Sequence, residues 1–183
     1  MLAKKSGKSP AALAPIRVTA RPGDRSRGWL TAGSFRVQVA LGRSGVKAKK
    51  IEGDGATPRG SFHALRVWWR ADRGLRPRTR LPVRRISRAD AWCEDPADRR
   101  YNRPVRLADG APGDHLWRRD DLYDLVVEID HNTRPRVAHR GSAVFIHITR
   151  PGFRPTAGCV ALTSRDLRKL LERLTTKVRI RIH

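Results

Sequence analysis

The sequence predicts a mainly β protein with a single clear helix. Apolar and polar residues alternate with period two over several short stretches, which is the pattern of strands that bury one face. Only one segment, near the carboxyl end, carries leucines at helical spacing. The longest apolar runs, such as Ala143–Ile146, fall far short of the ~20 residues that a membrane span requires, so no transmembrane helix is expected.

The strand candidates follow one another from Ile16 to the carboxyl end. A tight hairpin turn is predicted at Gly33–Ser34, because glycine tolerates the positive φ that such turns require. Residues Gly42–Gly60 are rich in glycine and lysine and predict a surface loop. The strand candidates are Ile16–Val18, Phe35–Leu41, Phe62–Trp69, Leu122–Ile129, Ser142–Thr149 and Val178–Ile182.

The predicted helix begins after Thr163, whose hydroxyl can accept a hydrogen bond from the first turn. Asp166, three residues later, resembles the acidic member of a capping box, with a shorter side chain than the usual Glu. The apolar residues that follow lie at i, i+3, i+4 and i+7, so one face of the helix should pack on the strands. They are Leu167, Leu170, Leu171 and Leu174.

Residues 1–15 predict a disordered basic tail, and residues 16–183 predict a single domain. The tail carries Lys4, Lys5 and Lys8, and proline interrupts its apolar stretch at both ends. A secretory signal needs about 7 to 15 uninterrupted apolar residues, so no signal peptide is visible.

The charge balance narrows the classes of partner. Forty Lys and Arg residues against 17 Asp and Glu give a net charge of +23 over 183 residues. This excess favours nucleic acid, an anionic membrane surface or an anionic cell wall, whereas a compositional bias of the genome is the alternative explanation. Residues 66–88 concentrate arginines around Trp68 and Trp69, which predicts either stacking on nucleobases or sugars, or a solvated strand face over two core tryptophans.

The residues most suited to catalysis lie between His147 and Leu162. Cys159 follows His147 by twelve residues, and the intervening loop can fold the cysteine back against the histidine. This predicts a nucleophile and base pair, whereas a buried, inert cysteine is the alternative. An imidazolium or a helix amino terminus beside the sulfur would lower the pKa of the thiol. Backbone N–H groups at Gly158 and Cys159 are candidate oxyanion donors.

Two motifs make the chain resemble the L,D-transpeptidase catalytic domain. The signature of that family is a histidine, a variable loop and then Ser/Thr-x-Gly-Cys, and here His147 precedes Thr156–Cys159. Thr57–Phe62 is similar to the family's Thr-Pro-x-Gly-x-Phe segment. The resemblance covers about residues 31–183 and extends to four shorter segments, Gly53–Gly55, Tyr101–Asn102, Leu116–Arg118 and Tyr123–Asp124.

The resemblance implies a β-sandwich-like catalytic fold that acts on the peptide stems of peptidoglycan without a cofactor. Cys159 would attack a stem carbonyl, and His147 would act as general base. The family releases a terminal D-alanine, holds an acyl-enzyme and transfers the acyl group to an amine of a neighbouring stem, which makes a 3→3 cross-link. The expected location is the periplasm or the cell wall. No further ligands cluster near the pair to form a zinc site.

The chain departs from the family's usual pattern at three positions. Many members read Ser-His-Gly-Cys-Ile-Arg, where this chain has Ala157 and Ala161 in place of the histidine and the arginine. Ile148 stands where a hydroxyl residue often follows the histidine, so a backbone carbonyl or another group must orient His147. The candidates to replace the missing charge are Arg118, Arg140 and Arg150, and the predicted substrate-binding residues are Thr156, Arg118, Tyr123 and Arg150.

The other histidines and the second cysteine are predicted to be structural. Cys93 lies beside Glu94 and Asp95, whose negative charge disfavours a thiolate, so Cys93 should be inert. The histidines are His63, His115, His131 and His139. Three function classes remain open: a transpeptidase, a carboxypeptidase or amidase with the same Cys–His site, and a basic protein that binds the wall or, less expected, nucleic acid.

Overall fold

The computed structural model describes residues 15–108, 110–111 and 113–183, so the predicted tail lies, except for Pro15, outside the described residues. Within these ranges an α-helix, α1, spans Ser164–Leu171, and a 3-10 turn spans Pro151–Phe153. The strands are β1 (Ile16–Arg21), β2 (Asp24–Ala32), β3 (Phe35–Ala40), β4 (Val46–Lys47), β5 (Thr57–Pro58), β6 (Gly60–Trp69), β7 (Val83–Arg85), β8 (Asp90–Trp92), β9 (Pro104–Arg106), β10 (Asp114–His115), β11 (Leu125–Ile129), β12 (Phe145–Ile148), β13 (Val160–Leu162) and β14 (Arg179–Ile182).

The largest sheet closes on itself through one extra pairing. Its strands follow the order β11-β12-β13-β3-β2-β1-β14-β6-β7, and β11 also pairs with β6. Eight strands therefore form a ring around the main apolar core. Strand β7 lies outside the ring and pairs with the carboxyl end of β6. The predicted mainly β, sandwich-like fold with one helix is confirmed, and its opposing parts belong to one continuous sheet.

Strands β11, β12 and β13, and the carboxyl end of β6 at residues 67–69, bury both of their faces. Because side chains alternate along a strand, every second residue points into the ring and the others point outward. The inward residues include Val67, Val127, Ile146 and Val160. The outward residues include Trp68, Val126, Phe145 and Cys159, which pack with Trp92 and Leu116. Trp92 belongs to a small sheet of order β10-β8-β9, so Cys159 lies in a second cluster that this sheet covers.

The helix forms as predicted and holds the segment that follows β13. The Thr163 hydroxyl accepts a hydrogen bond from the Asp166 N–H at 3.1 Å and donates one to the Asp166 carboxylate at 2.7 Å. The four predicted leucines are all buried in the main core, although Leu174 lies beyond the last helical residue. Burial of each leucine contributes about 1.5–3 kcal/mol.

The loop predicted between Leu41 and Phe62 is only partly a surface loop. It contains the short parallel pair β4 and β5, and Lys50, Ala56 and Thr57 are buried. The Thr57 hydroxyl accepts a hydrogen bond from the Gly42 N–H at 2.8 Å, so the loop's buried backbone is satisfied internally.

The stacking role considered for two tryptophans is wrong, because both rings are in the protein interior. Trp68 and Trp69 are buried, and the Trp68 indole N–H donates to the Glu128 carboxylate at 2.9 Å. The guanidinium groups of Arg84 and Arg85 cover the two rings at 4.6 and 5.7 Å. No helix in the described ranges is long and apolar enough to cross a membrane.

Candidate active site

Cys159 and His147 are brought together by two adjacent parallel strands. His147 of β12 stands opposite Ala161 of β13. Cys159 lies two residues before Ala161 and therefore points to the same face as His147. Both side chains line one cavity of about 150 Å³. The fold thus produces the proximity that the motif spacing predicts.

The backbone fixes the orientation of the His147 ring. Its Nδ1 lies 2.8 Å from the Ile148 carbonyl oxygen. A carbonyl only accepts, so Nδ1 carries the proton and Nε2 keeps a lone pair. Burial lowers the pKa of His147 to about 4, so the ring is neutral at physiological pH. The Tyr123 ring packs edge-on against it at 5.4 Å. Of the alternatives that the sequence left open, the structure supplies a backbone carbonyl.

The Cys159 thiol is protonated in this state. Burial raises its pKa to about 12, and the charges of Asp114 and Glu94 act in the same direction. Among the described residues, Sγ donates to the Ala143 carbonyl at 3.2 Å and accepts from the Phe145 N–H at 3.4 Å. The expectation of a lowered thiol pKa is therefore wrong. His147 carries no positive charge, and β13 separates the sulfur from the amino terminus of α1.

Thr156 shapes the turn that presents the cysteine. Its hydroxyl donates to the Cys159 carbonyl at 2.7 Å and accepts from the Gly158 N–H at 3.1 Å. Gly158 has a φ of +148°, and a Cβ there would lie 2.8 Å from the Ala56 carbonyl oxygen, so only glycine fits. Because the Gly158 N–H is bonded to the Thr156 hydroxyl, it would have to change partner to bind an oxyanion, and that role stays a prediction. In the described part of the chain, the Cys159 N–H has no partner and is the donor that remains.

The cavity shared by Cys159 and His147 also contains three arginines, and we call it the arginine cavity. They are Arg118, Arg150 and Arg154. The Arg118 guanidinium pairs with the Asp120 carboxylate at 2.8 Å. Arg140, the third candidate from the sequence, is exposed and is not part of this lining. Arg154 was missed, because it precedes Pro155 in an irregular loop where no periodicity indicates the direction of a side chain.

Cys159 also lines a second cavity, of about 360 Å³, whose lining does not include His147. We call it the carboxylate cavity. Its charged residues are Arg43, Lys50, Glu52, Glu94 and Asp114. Burial raises the pKa of Asp114 to about 6, against the opposing charge of Arg118. No sequence pattern indicated this cavity, because its acidic residues come from segments far apart along the chain.

The remaining candidates lie outside both cavities. The His63 Nδ1 is 3.0 Å from the Asp130 carboxylate, the His115 ring contacts the Ala111 carbonyl, and the His131 ring contacts the Arg140 carbonyl. Burial raises the pKa of Cys93, as expected for an unreactive thiol. No group of three or more His, Cys, Asp or Glu side chains that could hold a metal ion occurs among residues 15–108, 110–111 and 113–183.

A family model of the L,D-transpeptidase catalytic domain matches residues 18–182. The chain belongs to this family. In the L,D-transpeptidase signature of this chain, Ala161 replaces the usual arginine. Ala161 pairs with Ala40 of β3 and lines the arginine cavity. The small alanine therefore leaves space where the family's arginine would lie, in a cavity that three arginines from other positions also line.

This chain spans about half to three fifths of the length of the solved structures that it matches. The structure of Bdellovibrio bacteriovorus Bd1075 aligns with a TM-score of 0.45 and 12% identity over 96% of this chain and 50% of that one. An L,D-transpeptidase from Mycobacterium smegmatis aligns with a TM-score of 0.39 and 14% identity, over 93% and 59% of the two chains. For L,D-transpeptidase 1 of Mycobacterium tuberculosis the values are 0.37 and 14%, over 92% and 61%. A search of curated proteins found no match.

Proposed function

We propose that the protein is a cysteine acyltransferase that acts on peptidoglycan peptide stems and forms 3→3 cross-links. The observation that carries the proposal is the shared cavity of Cys159 and His147, in which the bond to the Ile148 carbonyl leaves the histidine Nε2 free to accept a proton. Because peptidoglycan lies outside the cytoplasm, we expect the protein to act in the periplasm or cell wall.

The neutral pair requires that the proton moves during the attack. The Cys159 thiol gives its proton to the His147 Nε2 while Sγ bonds to the stem carbonyl carbon. The Cys159 N–H donates to the oxyanion of the tetrahedral intermediate. Collapse of the intermediate breaks the stem amide, and His147 returns the proton to the leaving amine of the terminal D-amino acid. An acceptor amine then attacks the thioester, and its proton reaches the thiolate through His147.

The two cavities suit the two substrates of this reaction, the donor stem and the acceptor amine. The arginine cavity presents guanidinium groups, which bind carboxylates through charge-assisted hydrogen bonds, so it suits the carboxylate of the donor stem. The carboxylate cavity is lined by the same cysteine and suits the positively charged amine of the acceptor before it is deprotonated. Transfer of the acyl group to water would instead make the protein an L,D-carboxypeptidase, and the Asp114 carboxylate in this cavity favours that second outcome because it can accept a proton from water.

The nucleophile is tested by intact-mass spectrometry after incubation with a carbapenem. The wild-type protein should gain the mass of one acyl adduct, and Cys159→Ala should gain none while remaining folded. Cys93→Ala is the matched control and should be acylated like the wild type. An adduct on Cys159→Ala would overturn the assignment.

The same measurement, followed in time, tests the base. His147→Gln keeps a polar side chain but removes the proton acceptor, and loss of a general base typically lowers a rate about 10²- to 10⁴-fold. His63→Gln, which changes a histidine outside both cavities, should acylate at the wild-type rate. If His147→Gln slows acylation less than about fivefold, His147 is not the base. Stem peptides with and without an acceptor amine then distinguish cross-linking from hydrolysis.

A further inference from the structure

Lys50 is a buried cation that the proposed reaction does not use. Its side chain is 6% exposed and lines the carboxylate cavity together with Cys159. Gly141 makes room for its stem, because a Cβ there would lie 2.8 Å from the Lys50 Cγ. A Cβ on Gly158 would be in ordinary contact with the Lys50 Cε at 3.6 Å, so the end of the lysine stem packs beside the turn that precedes the nucleophile.

The Lys50 ammonium is held in one place by Asp54. Its Nζ donates to the Asp54 carboxylate at 2.6 Å and to the Ile51 carbonyl at 2.8 Å. The same carboxylate accepts N–H bonds from Ala56 and Ile51. Burial raises the pKa of Asp54, but the bond from Lys50 and the two backbone bonds more than offset it and leave the pKa below its usual value. An ammonium has three N–H groups, so one remains without a partner among the described residues.

Charges of both signs surround the Cys159 sulfur. The carboxylates of Asp114 and Glu94 disfavour negative charge on it, whereas the Phe145 N–H and the charge of Lys50 favour it. In the arginine cavity His147 is neutral, and burial keeps the pKa of the Tyr123 hydroxyl, which lines both cavities, well above its usual value. Of the two cations that line this cavity, Arg43 and Lys50, the lysine is therefore the one whose charge opposes the acidic residues at the Cys159 sulfur.

We propose that Lys50 is a positioning residue for catalysis, which stabilises the negative charge that develops on Cys159 when its proton leaves. This role rests on the proposed function, in which Cys159 is the nucleophile. A fixed, buried charge acts strongly here because little water screens it. Asp54 holds the ammonium in place, and Gly141 leaves the space that the lysine stem occupies.

The test is the rate at which iodoacetamide alkylates Cys159, measured by intact mass in a Cys93→Ala background at about pH 8. Lys50→Met keeps the length of the stem and removes the charge. It should slow alkylation about two- to fivefold, since the thiol pKa rises. Lys49→Met removes the same charge from an exposed neighbour and should leave the rate unchanged. Loosening of the structure would speed alkylation, so the direction separates the electrostatic role from a structural one.

Asp54→Asn provides the second variant, and it should speed alkylation because it removes the counter-charge of the ammonium. Thermal unfolding shows whether each variant is folded. A folded Lys50→Met with an unchanged or faster rate overturns the inference, and if that variant does not fold, an unchanged or slower Asp54→Asn overturns it. The proposed function fails by a different result, the absence of a carbapenem adduct on Cys159 in the wild-type protein.

Discussion

The two cavities that meet at Cys159 carry charges of different physical character. The arginine cavity holds guanidinium groups, which stay protonated throughout the accessible pH range. The carboxylate cavity contains Asp114, whose pKa of about 6 lies within that range. The arginine cavity therefore keeps a constant positive charge, while the carboxylate cavity becomes more negative as the pH rises. The comparison teaches that pH should affect the nucleophile and the acceptor side far more than it affects recognition of the donor carboxylate.

Among the variants that test this comparison, the largest effect is expected in the arginine cavity. Arg154→Gln removes one guanidinium near the sulfur, and loss of a hydrogen bond to a charged group costs about 1.5–3 kcal/mol. The variant should therefore lower kcat/KM for a stem peptide with a free terminal carboxylate about 10- to 100-fold. The measurement is the initial rate of D-alanine release over a range of substrate concentrations.

Arg140→Gln is the matched control, because Arg140 is an exposed arginine outside the cavity. It should keep the wild-type kcat/KM. Equal losses in both variants would mean that overall charge, rather than the arginine cavity, binds the substrate. The arginine cavity would then not be the site that recognises the donor carboxylate.

The second prediction concerns the carboxylate cavity and the sign of its pH dependence. The pKa of Asp114 rises from the ordinary 3.8 to about 6, so folding favours the protonated carboxyl. Its contribution to stability is fully present below pH 4 or so and is lost as the pH rises through about 6. Asp114→Asn cannot ionise and should exceed the wild type by about 1–2 kcal/mol at about pH 8, with little difference at about pH 4. Urea unfolding at the two pH values measures this.

Asp120→Asn tests the corresponding carboxylate at the arginine cavity, where Asp120 pairs with Arg118. The hydrogen bond from Arg118 holds the pKa of Asp120 below its usual value, so its carboxylate stabilises the fold above the ordinary pKa. Its replacement should lower stability at neutral pH, opposite in sign to Asp114→Asn. The same sign in both variants would contradict the assigned charge states.

Much of the fold could be predicted from the sequence because its patterns are local. Period-two alternation located six strand segments, and the cap at Thr163 with its leucines located the helix. Strand β2 was missed, since Asp24–Ala32 is largely polar and contains Gly28. A Cβ at Gly28 would lie 2.2 Å from the Thr19 carbonyl oxygen, so the residue that weakens the strand pattern is required by close packing.

Only part of the candidate site could be predicted, because sequence patterns report only local relationships. The spacing of His147 and Cys159 is local and indicates their pairing, which adjacent strands then provide. The protonation state of Cys159 depends on burial and on Asp114, which lies far away in the sequence, so no spacing rule could show it. The carboxylate cavity likewise exists only after the ring of strands and the small sheet have formed.

The smallest effect on turnover is expected from arginines far from both cavities. Arg76, Arg78 and Arg80 are exposed, and none is in an ion pair that the structure shows among the described residues. Arg84 belongs to the same stretch but pairs with the Asp90 carboxylate at 3.0 Å and covers Trp68, so its replacement would disturb packing. The useful variant therefore replaces only the first three with Gln.

This triple variant should bind purified sacculi more weakly and with a flatter salt dependence, while turnover of a short soluble stem peptide changes less than twofold or so. Screening acts over a Debye length of about 8 Å at physiological salt, so distant surface charges guide association with an anionic wall but do not alter the chemistry at Cys159. Duplex DNA is the competing ligand, and it predicts log K falling with log salt at a slope near −0.9 per neutralised phosphate. If DNA outcompetes sacculi for the wild type at equal salt and the triple variant loses that binding, these arginines serve nucleic acid rather than the wall.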